Sequence, residues 1–297
     1  MNNIREYGPY MGLVLFWSAC LVTGGFNDQY LAQRVYLKDN AVAVIFSVIG
    51  LYMIYGSFVF FLGIILRQLL VSENRKHIRC IIWILCSYFA FSTSTYSAAA
   101  ILSDSVCGFL IQGDTHSLAY YVVAGLFLFF ALYPAGFILN KKRYDKEAVH
   151  DLILILITAT LAVFLSNIVK GFVMRPRYRI ALKGYEGIGF IPVFHMLKDG
   201  KSLLKIYGLK KDDLASFFSG HAMNSMLCIM ILPAYRYVFD KLKGKEKILI
   251  GIAIVSSLPI TFSRMVLGDH YLSDISFGAI AGLVIVCIYQ MIRKKFI

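Results

Sequence analysis

The chain has 297 residues, of which 59% are hydrophobic and 16% are charged, and its mean hydropathy is +0.69. Roughly a quarter of the residues are charged in soluble domains, so this composition excludes a soluble protein and indicates an integral membrane protein. The net charge of +13 does not indicate a nucleic-acid partner, because many of the basic residues lie in short loops between apolar runs.

Eight apolar runs follow one another along the chain, and each is a candidate for a membrane-spanning helix. They cover 9–25, 42–66, 80–103, 117–139, 152–169, 222–239, 248–263 and 275–292. The first run, behind Arg5, is short enough to be the hydrophobic region of a cleaved signal peptide, although we interpret it as an uncleaved anchor. The sequence therefore predicts an all-α, polytopic transmembrane helical bundle of about eight spans.

The distribution of Lys and Arg among the loops predicts the orientation of these spans. Four lie in each of the loops 67–79, 141–147 and 240–247, three lie in the C-terminal tail, and none lies in the loop 104–116. We therefore expect both termini and the three basic loops to face the cytoplasm. The loops expected to face outward are 26–41, 104–116, 170–220 and 264–274.

Polar residues that could bind a ligand or take part in catalysis are concentrated in the outward loops. The segment 170–220 holds ten Lys and Arg, which is unusual on the outward side and predicts an anionic ligand. Lys170 ends the fifth span and Arg177 follows it, the run Ser219–His221 opens the sixth span, and the run Ser263–Asp274 joins the seventh span to the eighth. Because all three motifs lie at one membrane face, we expect them to converge.

These residue types suit phosphoryl transfer. Lys170, Arg177 and Arg264 would neutralise the oxygens of a phosphate group. Ser219 and Gly220 lie where a helix begins, so a hydroxyl group and backbone N–H groups are available to an anion. With this much positive charge present, we predict that neither a metal ion nor a cofactor is needed.

Two histidines and a carboxylate supply the proton chemistry. His270 and Asp274 are four residues apart, so on one helix face the carboxylate would bond to one ring nitrogen and leave the other free as a nucleophile or base. His221 would protonate the leaving oxygen and later activate water.

Taken singly, several of these residues have simpler interpretations. Lys170 and Arg264 could be snorkelling residues at span ends. Ser219 could serve simply as an N-cap, and Asp274 could serve simply to complement the dipole of its helix. Arg175, Arg179 and the remaining loop lysines are interpreted as solvated charges or as a general attraction for anionic headgroups. Asp269 has no assigned role and is interpreted as loop polarity. The joint occurrence of three ordered motifs on one face favours the functional interpretation.

The three motifs resemble the signature of the type 2 phosphatidic acid phosphatase (PAP2) superfamily, which is K-x6-R-P, P-S-G-H and S-R-x5-H-x3-D. The third motif is complete in this chain, while Tyr178 and Phe218 stand where the family usually has proline. The resemblance covers about 150–292. It implies a metal-independent enzyme with a six-helix core and an outward active site, to which this chain adds two N-terminal spans.

The resemblance also implies a role for each matching residue. His270 would attack phosphorus to form a phosphohistidine, Asp274 would orient it, and His221 would protonate the leaving group. The residues expected to bind the phosphoryl group are Lys170, Arg177, Ser219, Gly220 and Arg264.

Within one membrane domain, the sequence predicts an N-terminal span with its outward loop (1–40), three further spans (41–149) and a catalytic part (150–297). The predicted function is hydrolysis of a lipid phosphate or lipid pyrophosphate at the outer face of a bacterial inner membrane. Candidate lipids are undecaprenyl pyrophosphate, phosphatidylglycerol phosphate, phosphatidate and lipid A 1-phosphate, and we expect the segment 178–218 to select among them. The alternatives are a lipid phosphotransferase, a phosphatase for soluble sugar phosphates, and a transporter or catalytically silent binder of lipid phosphates.

Overall fold

The structure is a computed structural model that describes residues 2–103, 118–140 and 145–296, with side chains described for 10–100, 118–140 and 145–296. Within these ranges the chain is helical and contains no strand, so the prediction of an all-α bundle is confirmed. Long helices are expected here, because a backbone in hydrocarbon must satisfy its hydrogen bonds within its own segment.

Eight long helices form the bulk of the described chain. They are α1 (Asn2–Val35), α2 (Ala41–Ser72), α3 (Lys76–Ser103), α4 (Leu118–Leu139), α5 (Lys146–Val173), α8 (Gly220–Ala234), α9 (Glu246–Val266) and α10 (Leu272–Phe296). The shorter elements are α6 (Tyr178–Ala181), α7 (Gly200–Ile206) and 3₁₀ helices at Lys211–Leu214, Tyr235–Tyr237 and Asp240–Leu242.

Seven of the described helices are long and apolar enough to cross a membrane, which makes this a membrane protein. The exception among the eight predicted spans is the sixth. Its helix α8 has 15 residues, carries Pro233 near its end and gives way to 3₁₀ turns from Tyr235. The predicted loop 104–116 and residues 141–144 of the predicted loop 141–147 lie outside the described residues.

The first helix is longer than the sequence predicted. The apolar run ends near residue 25, and 26–41 was expected to be a loop, yet α1 continues to Val35. Polar side chains in this extension bond back to the helix, since Asn27 Nδ2 donates to the carbonyl of Thr23 at 3.1 Å. Asp28 is only 2% exposed and Ala32 only 1%, so one face of the extension is packed while the rest is exposed.

The chain divides into two compact units. The first comprises 1–47, 160–227 and 255–287, and the second comprises 48–159, 228–254 and 288–297. All eight predicted site residues belong to the first unit.

In the first unit, two glycines of α10 bring it close to α8. A Cβ on Gly278 would clash with the carbonyl oxygen of Ser219, and one on Gly282 would lie 2.6 Å from the carbonyl oxygen of Met223. Small residues four apart let two helix backbones approach, as is common in membrane helix pairs. The start of α8 is therefore held against α10, where Ser219 N donates to the carbonyl of Asp274 at 3.1 Å.

In the second unit, a buried carboxylate is satisfied by several donors. Asp151 on α5 accepts hydrogen bonds from the hydroxyls of Tyr289 at 2.6 Å and Tyr237 at 2.7 Å. Arg293 Nε lies 3.0 Å from the same carboxylate. A buried charge with these partners is stable, so this cluster holds the end of α10 against α5.

Candidate active site

The predicted residues come from the ends of four long helices and the loops between them. Lys170 lies in the last turn of α5, Arg177 precedes α6, and Ser219 precedes α8. Arg264 lies in the last turn of α9, and Asp274 in the first turn of α10. The structure thus brings residues more than a hundred positions apart into one compact unit.

A buried carboxylate lies at the centre of the cationic residues. Asp269 forms ion pairs with Arg264 Nη2 at 2.6 Å, with Arg179 Nε at 2.8 Å and with Arg177 Nη1. Burial by itself would raise the pKa of Asp269, but the charges of Arg177, Arg264 and Arg179 hold it well below its usual range. The interpretation of Asp269 and Arg179 as solvated polarity was therefore wrong. Asp269 stays ionised and fixes the directions of three arginines.

Arg177 is held from a second side by the 3₁₀ helix Lys211–Leu214. Its Nη2 lies 2.6 Å from Asp212 Oδ1, and its Nε donates to the Asp212 carbonyl at 2.8 Å. Its backbone N–H donates to the carbonyl of Asp213 at 3.0 Å. Since only 4% of the Arg177 side chain is exposed, its guanidinium has one orientation in the site.

Lys170 and the start of α8 lie side by side. A Cβ on Gly220 would be 3.5 Å from Lys170 Nζ, so glycine leaves room next to the ammonium group. The Ser219 hydroxyl accepts a hydrogen bond from the N–H of Ala222 at 3.3 Å. Ser219 is therefore an N-cap in this structure, and the cation faces the positive end of α8, where an anion is favoured.

The geometry of His270 fixes its tautomer. Its Nδ1 lies 2.6 Å from the carbonyl oxygen of Ser216. A carbonyl can only accept, so Nδ1 carries the proton and Nε2 keeps a lone pair when the ring is neutral. Burial and the charges of Arg177, Lys170 and Arg264 lower the pKa of His270 well below 6.5, so the neutral ring predominates at pH 7.

Asp274 does not bond to His270 among the described contacts, contrary to the prediction. Its Oδ2 accepts from the Ser216 hydroxyl at 2.5 Å and from the N–H of Tyr271 at 2.9 Å, which caps α10. The predicted pairing assumed one helix face, but α10 begins at Leu272 and His270 precedes it. Ser216 connects the two residues, since its carbonyl holds His270 and its hydroxyl reaches Asp274.

Arg175 is fully buried, so its interpretation as a solvated charge was also wrong. Its Nη1 lies 2.5 Å from Asp274 Oδ1 and its Nη2 lies 2.8 Å from Asp28 Oδ2. The guanidinium carbon lies 4.3 Å from the ring centre of Tyr271, a cation–π distance. Arg175 therefore has a place between two acids rather than in the phosphate site.

The second histidine contacts a residue of α2. His221 Nε2 lies 3.3 Å from the hydroxyl of Ser47, which also accepts a hydrogen bond from Arg264 Nη1. Burial and the charges of Arg264 and Lys170 lower the pKa of His221 well below 6.5. His221 is therefore neutral at pH 7, and an incoming anion would favour its protonation.

Sequence reasoning missed the residues that orient this arrangement. They are Asp28, Ser47, Arg175, Arg179, Asp212, Ser216 and Asp269. Asp28 had a usable signal, because an acid next to an apolar run is costly unless it is paired. A serine in or near an apolar run gives no comparable signal.

Residues 151–297 match the family model described as the PAP2 superfamily. No curated protein and no solved structure matches the chain. The matched part carries all three motifs and all eight predicted site residues, while Asp28 and Ser47 lie before it. Through its C-terminal half, the chain belongs to the PAP2 superfamily.

Proposed function

We propose that this protein is a membrane phosphatase that hydrolyses a lipid phosphate or lipid pyrophosphate through a phosphohistidine at His270. Membership of the PAP2 superfamily supports a phosphatase acting on phosphate esters in general. The observation that carries the finer proposal is the state of His270. It is a neutral, buried imidazole whose Nδ1 is held by Ser216, within a cluster of cationic side chains.

Binding of the phosphoryl group comes first. Arg177, Arg264 and Lys170 would contact its oxygens, and the N-terminus of α8 would add backbone donors. Asp269 is shared by three arginines, Asp212 and Asp213 each pair with one of them, and Lys170 adds a further positive charge near His270. These side chains would supply the charge stabilisation that other phosphoryl-transfer enzymes obtain from a metal ion, so we expect metal-independent activity.

The transfer then proceeds in two steps. The Nε2 lone pair of His270 attacks phosphorus, and the bond from phosphorus to the leaving oxygen breaks. His221 gives its proton to that oxygen. In the second step water attacks the phosphohistidine, His221 takes a proton from the water, and the P–N bond breaks to release phosphate. Protonation of His221 before the first step would depend on the negative charge that the substrate brings, since Arg264, Lys170 and Arg177 lower the pKa of this histidine.

An aromatic surface next to the site supports a lipid substrate. Phe217 follows Ser216 directly, and its ring centre lies 5.7 Å from Phe194 and 5.0 Å from Phe277. Phe194 is the exposed member of this aromatic cluster, at 63%, while Phe217 is buried. Such a surface suits the first part of a hydrocarbon tail, with the phosphate at His270.

We further propose that the site faces outward from a bacterial inner membrane. The support is the concentration of Lys and Arg in the loops 67–79, 141–147 and 240–247, which the positive-inside rule assigns to the cytoplasm. The lipids to test are undecaprenyl pyrophosphate, phosphatidylglycerol phosphate, phosphatidate and lipid A 1-phosphate.

The decisive experiment measures phosphate release from these four lipids by the purified full chain in detergent, with and without EDTA. We expect release from at least one lipid, resistance to EDTA, and loss of activity in His270→Ala. The matched control is His195→Ala, because His195 is an exposed histidine whose Nδ1 contacts only a nearby carbonyl among the described bonds. Full activity of His270→Ala would refute the mechanism, and recovery of a phosphorylated lipid acceptor instead of phosphate would indicate a phosphotransferase.

A further inference from the structure

We propose that Asp28, on the first helix, is a positioning residue for this reaction and acts on His270 through Arg175 and Asp274. This role rests on the proposed phosphatase function. Asp28 lies outside the residues that match the PAP2 superfamily, so it would be a contribution of the N-terminal helix to the site.

The contacts of Asp28 are those of a fixed carboxylate. It is 2% exposed, and its Oδ2 lies 2.8 Å from Arg175 Nη2. Its Oδ1 accepts a hydrogen bond from the backbone N–H of Ser273 at 2.9 Å, and the Ser273 hydroxyl donates to Oδ2. Both oxygens are thus used, one pointing to the start of α10 and the other to Arg175.

Arg175 carries this orientation toward the catalytic histidine. Its Nη1 donates to Asp274 Oδ1 at 2.5 Å, and its Nε donates to the carbonyl of Ile191 at 2.8 Å. Asp274 uses its other oxygen to accept from Ser216, whose carbonyl holds Nδ1 of His270. Every link from Asp28 to the imidazole is therefore a hydrogen bond or ion pair no longer than 2.8 Å.

The helix that carries Asp28 is shaped for this contact. Gly24 lies one helical turn before Asp28, and a Cβ there would be 2.5 Å from Ser273 N and 2.9 Å from Asp28 Oδ1. Only glycine allows the backbone of α1 to lie directly against the start of α10. An accidental surface salt bridge would not require such an approach.

A second contact fixes the chain just after α1. The N–H of Leu37 donates to the carbonyl of Val266 at 2.9 Å, and a Cβ on Gly268 would lie 2.7 Å from the ring of Tyr36. These residues flank the loop that leads to His270. The proposal therefore requires that α1 remains part of the mature protein.

The charges explain why Asp28 would matter for rate. Arg175 is shared by two acids, and with Asp28 removed one side of a buried guanidinium and the Ser273 N–H would lose their acceptor. Asp274 would then be the remaining carboxylate of Arg175, so the guanidinium would shift toward it and change the position of Asp274. Because none of these groups is expected to touch the phosphate, turnover rather than substrate binding should suffer.

The test compares Asp28→Ala and Asp28→Asn with the control Asn27→Ala in the purified full chain. Asn27 is the exposed neighbour on the same helix, and its Nδ2 donates to the carbonyl of Thr23 on that helix. We expect kcat for the best lipid phosphate to fall about 10- to 100-fold in Asp28→Ala, as small displacements of reacting groups do. Asp28→Asn keeps the shape of the residue and one accepting oxygen but loses the charge and the second acceptor. Its kcat should therefore also fall, but less than in Asp28→Ala, while KM stays within about twofold in both variants.

The outcomes separate the two proposals. If the wild type and Asn27→Ala are active, His270→Ala is inactive, and both Asp28 variants keep the wild-type kcat, the role of Asp28 is refuted and the phosphatase function stands. A raised KM at unchanged kcat would also refute it, since that would place Asp28 in binding. If Asp28→Ala does not fold, Asp28→Asn decides by the same criteria. If the wild type releases phosphate from no lipid, the proposed function fails, and the role of Asp28 with it.

Discussion

His270 and Ser216 are joined by a single short contact, in which the imidazole Nδ1 donates to the main-chain carbonyl at 2.6 Å. In Ser-His-Asp enzymes the same nitrogen is held by a carboxylate. Here the backbone carbonyl of Ser216 sets the tautomer of the histidine. Among the contacts that the structure describes, the carboxylate of Asp274 does not bond to the ring but accepts a hydrogen bond from the hydroxyl of Ser216.

This arrangement predicts a moderate effect for Asp274→Asn. The backbone carbonyl would still hold His270 in the same tautomer, so kcat should fall by about 10²-fold, well below the roughly 10⁴-fold loss known for the orienting Asp of a Ser-His-Asp triad. KM should stay near the wild-type value. Steady-state kinetics with the best lipid substrate checks this. A loss of about 10⁴-fold would mean that Asp274 contacts the ring directly during the reaction.

The lowered pKa of His270 predicts the acid side of the pH profile. As the proposed nucleophile, His270 must be neutral, and it is neutral above its pKa, which burial and the charges of Arg177, Lys170 and Arg264 hold well below 6.5. The His270-dependent fall in kcat/KM should therefore lie below pH 6.5 rather than near it.

Removing one of the cations near His270 should shift the acid limb of the pH profile, where kcat/KM falls as the pH is lowered. Arg177→Gln takes away a positive charge near the ring, so the pKa of His270 should rise and the acid limb should shift to higher pH, together with a higher KM. Lys201→Gln removes an exposed lysine of the same segment and serves as the control. Equal pH profiles for Arg177→Gln and the wild type would contradict the electrostatic argument.

Asp269→Asn should make the folded protein depend on a bound anion. The exchange keeps the side-chain shape but removes the charge that offsets Arg177, Arg179 and Arg264. Losing a buried partner costs about 3–5 kcal/mol, so Tm should fall by at least about 5 °C.

Inorganic phosphate should restore much of that loss, because it supplies negative charge to the same three arginines. The measurement is thermal unfolding in detergent with increasing phosphate, with the exposed Asp199→Asn as control. The idea fails if phosphate raises Tm equally in the wild type and in Asp269→Asn.

The contact between α8 and α10 predicts a different response for two glycines. Gly282→Ala should destabilise the fold by about 1–3 kcal/mol, because the new Cβ would lie 2.6 Å from the carbonyl of Met223. Gly251→Ala, in α9, meets nothing within 4 Å and should be neutral or slightly stabilising through helix propensity. Thermal unfolding of both variants checks this, and equal losses of stability would contradict the role given to Gly282.

Much of the fold followed from local physics. Runs of apolar residues predicted the long helices, because each backbone group in hydrocarbon must be satisfied within its own helix. The prediction was less successful where helices end. α1 continues past its apolar run because Asp28 is paired with Arg175, and α8 ends early at 3₁₀ turns, neither of which can be deduced from hydropathy.

The sequence by itself determined that this is a helical membrane protein, and the order of its three motifs indicated the PAP2 superfamily and predicted which residues would meet. Only the tertiary structure decided their partners. The acids that hold the arginines, the carbonyl that holds His270 and the N-terminal aspartate behind Arg175 lie up to 246 residues apart, between Asp28 and Asp274. Local patterns describe neighbours along one helix, whereas a buried charge finds its partner wherever the packed helices bring an opposite charge within hydrogen-bonding distance.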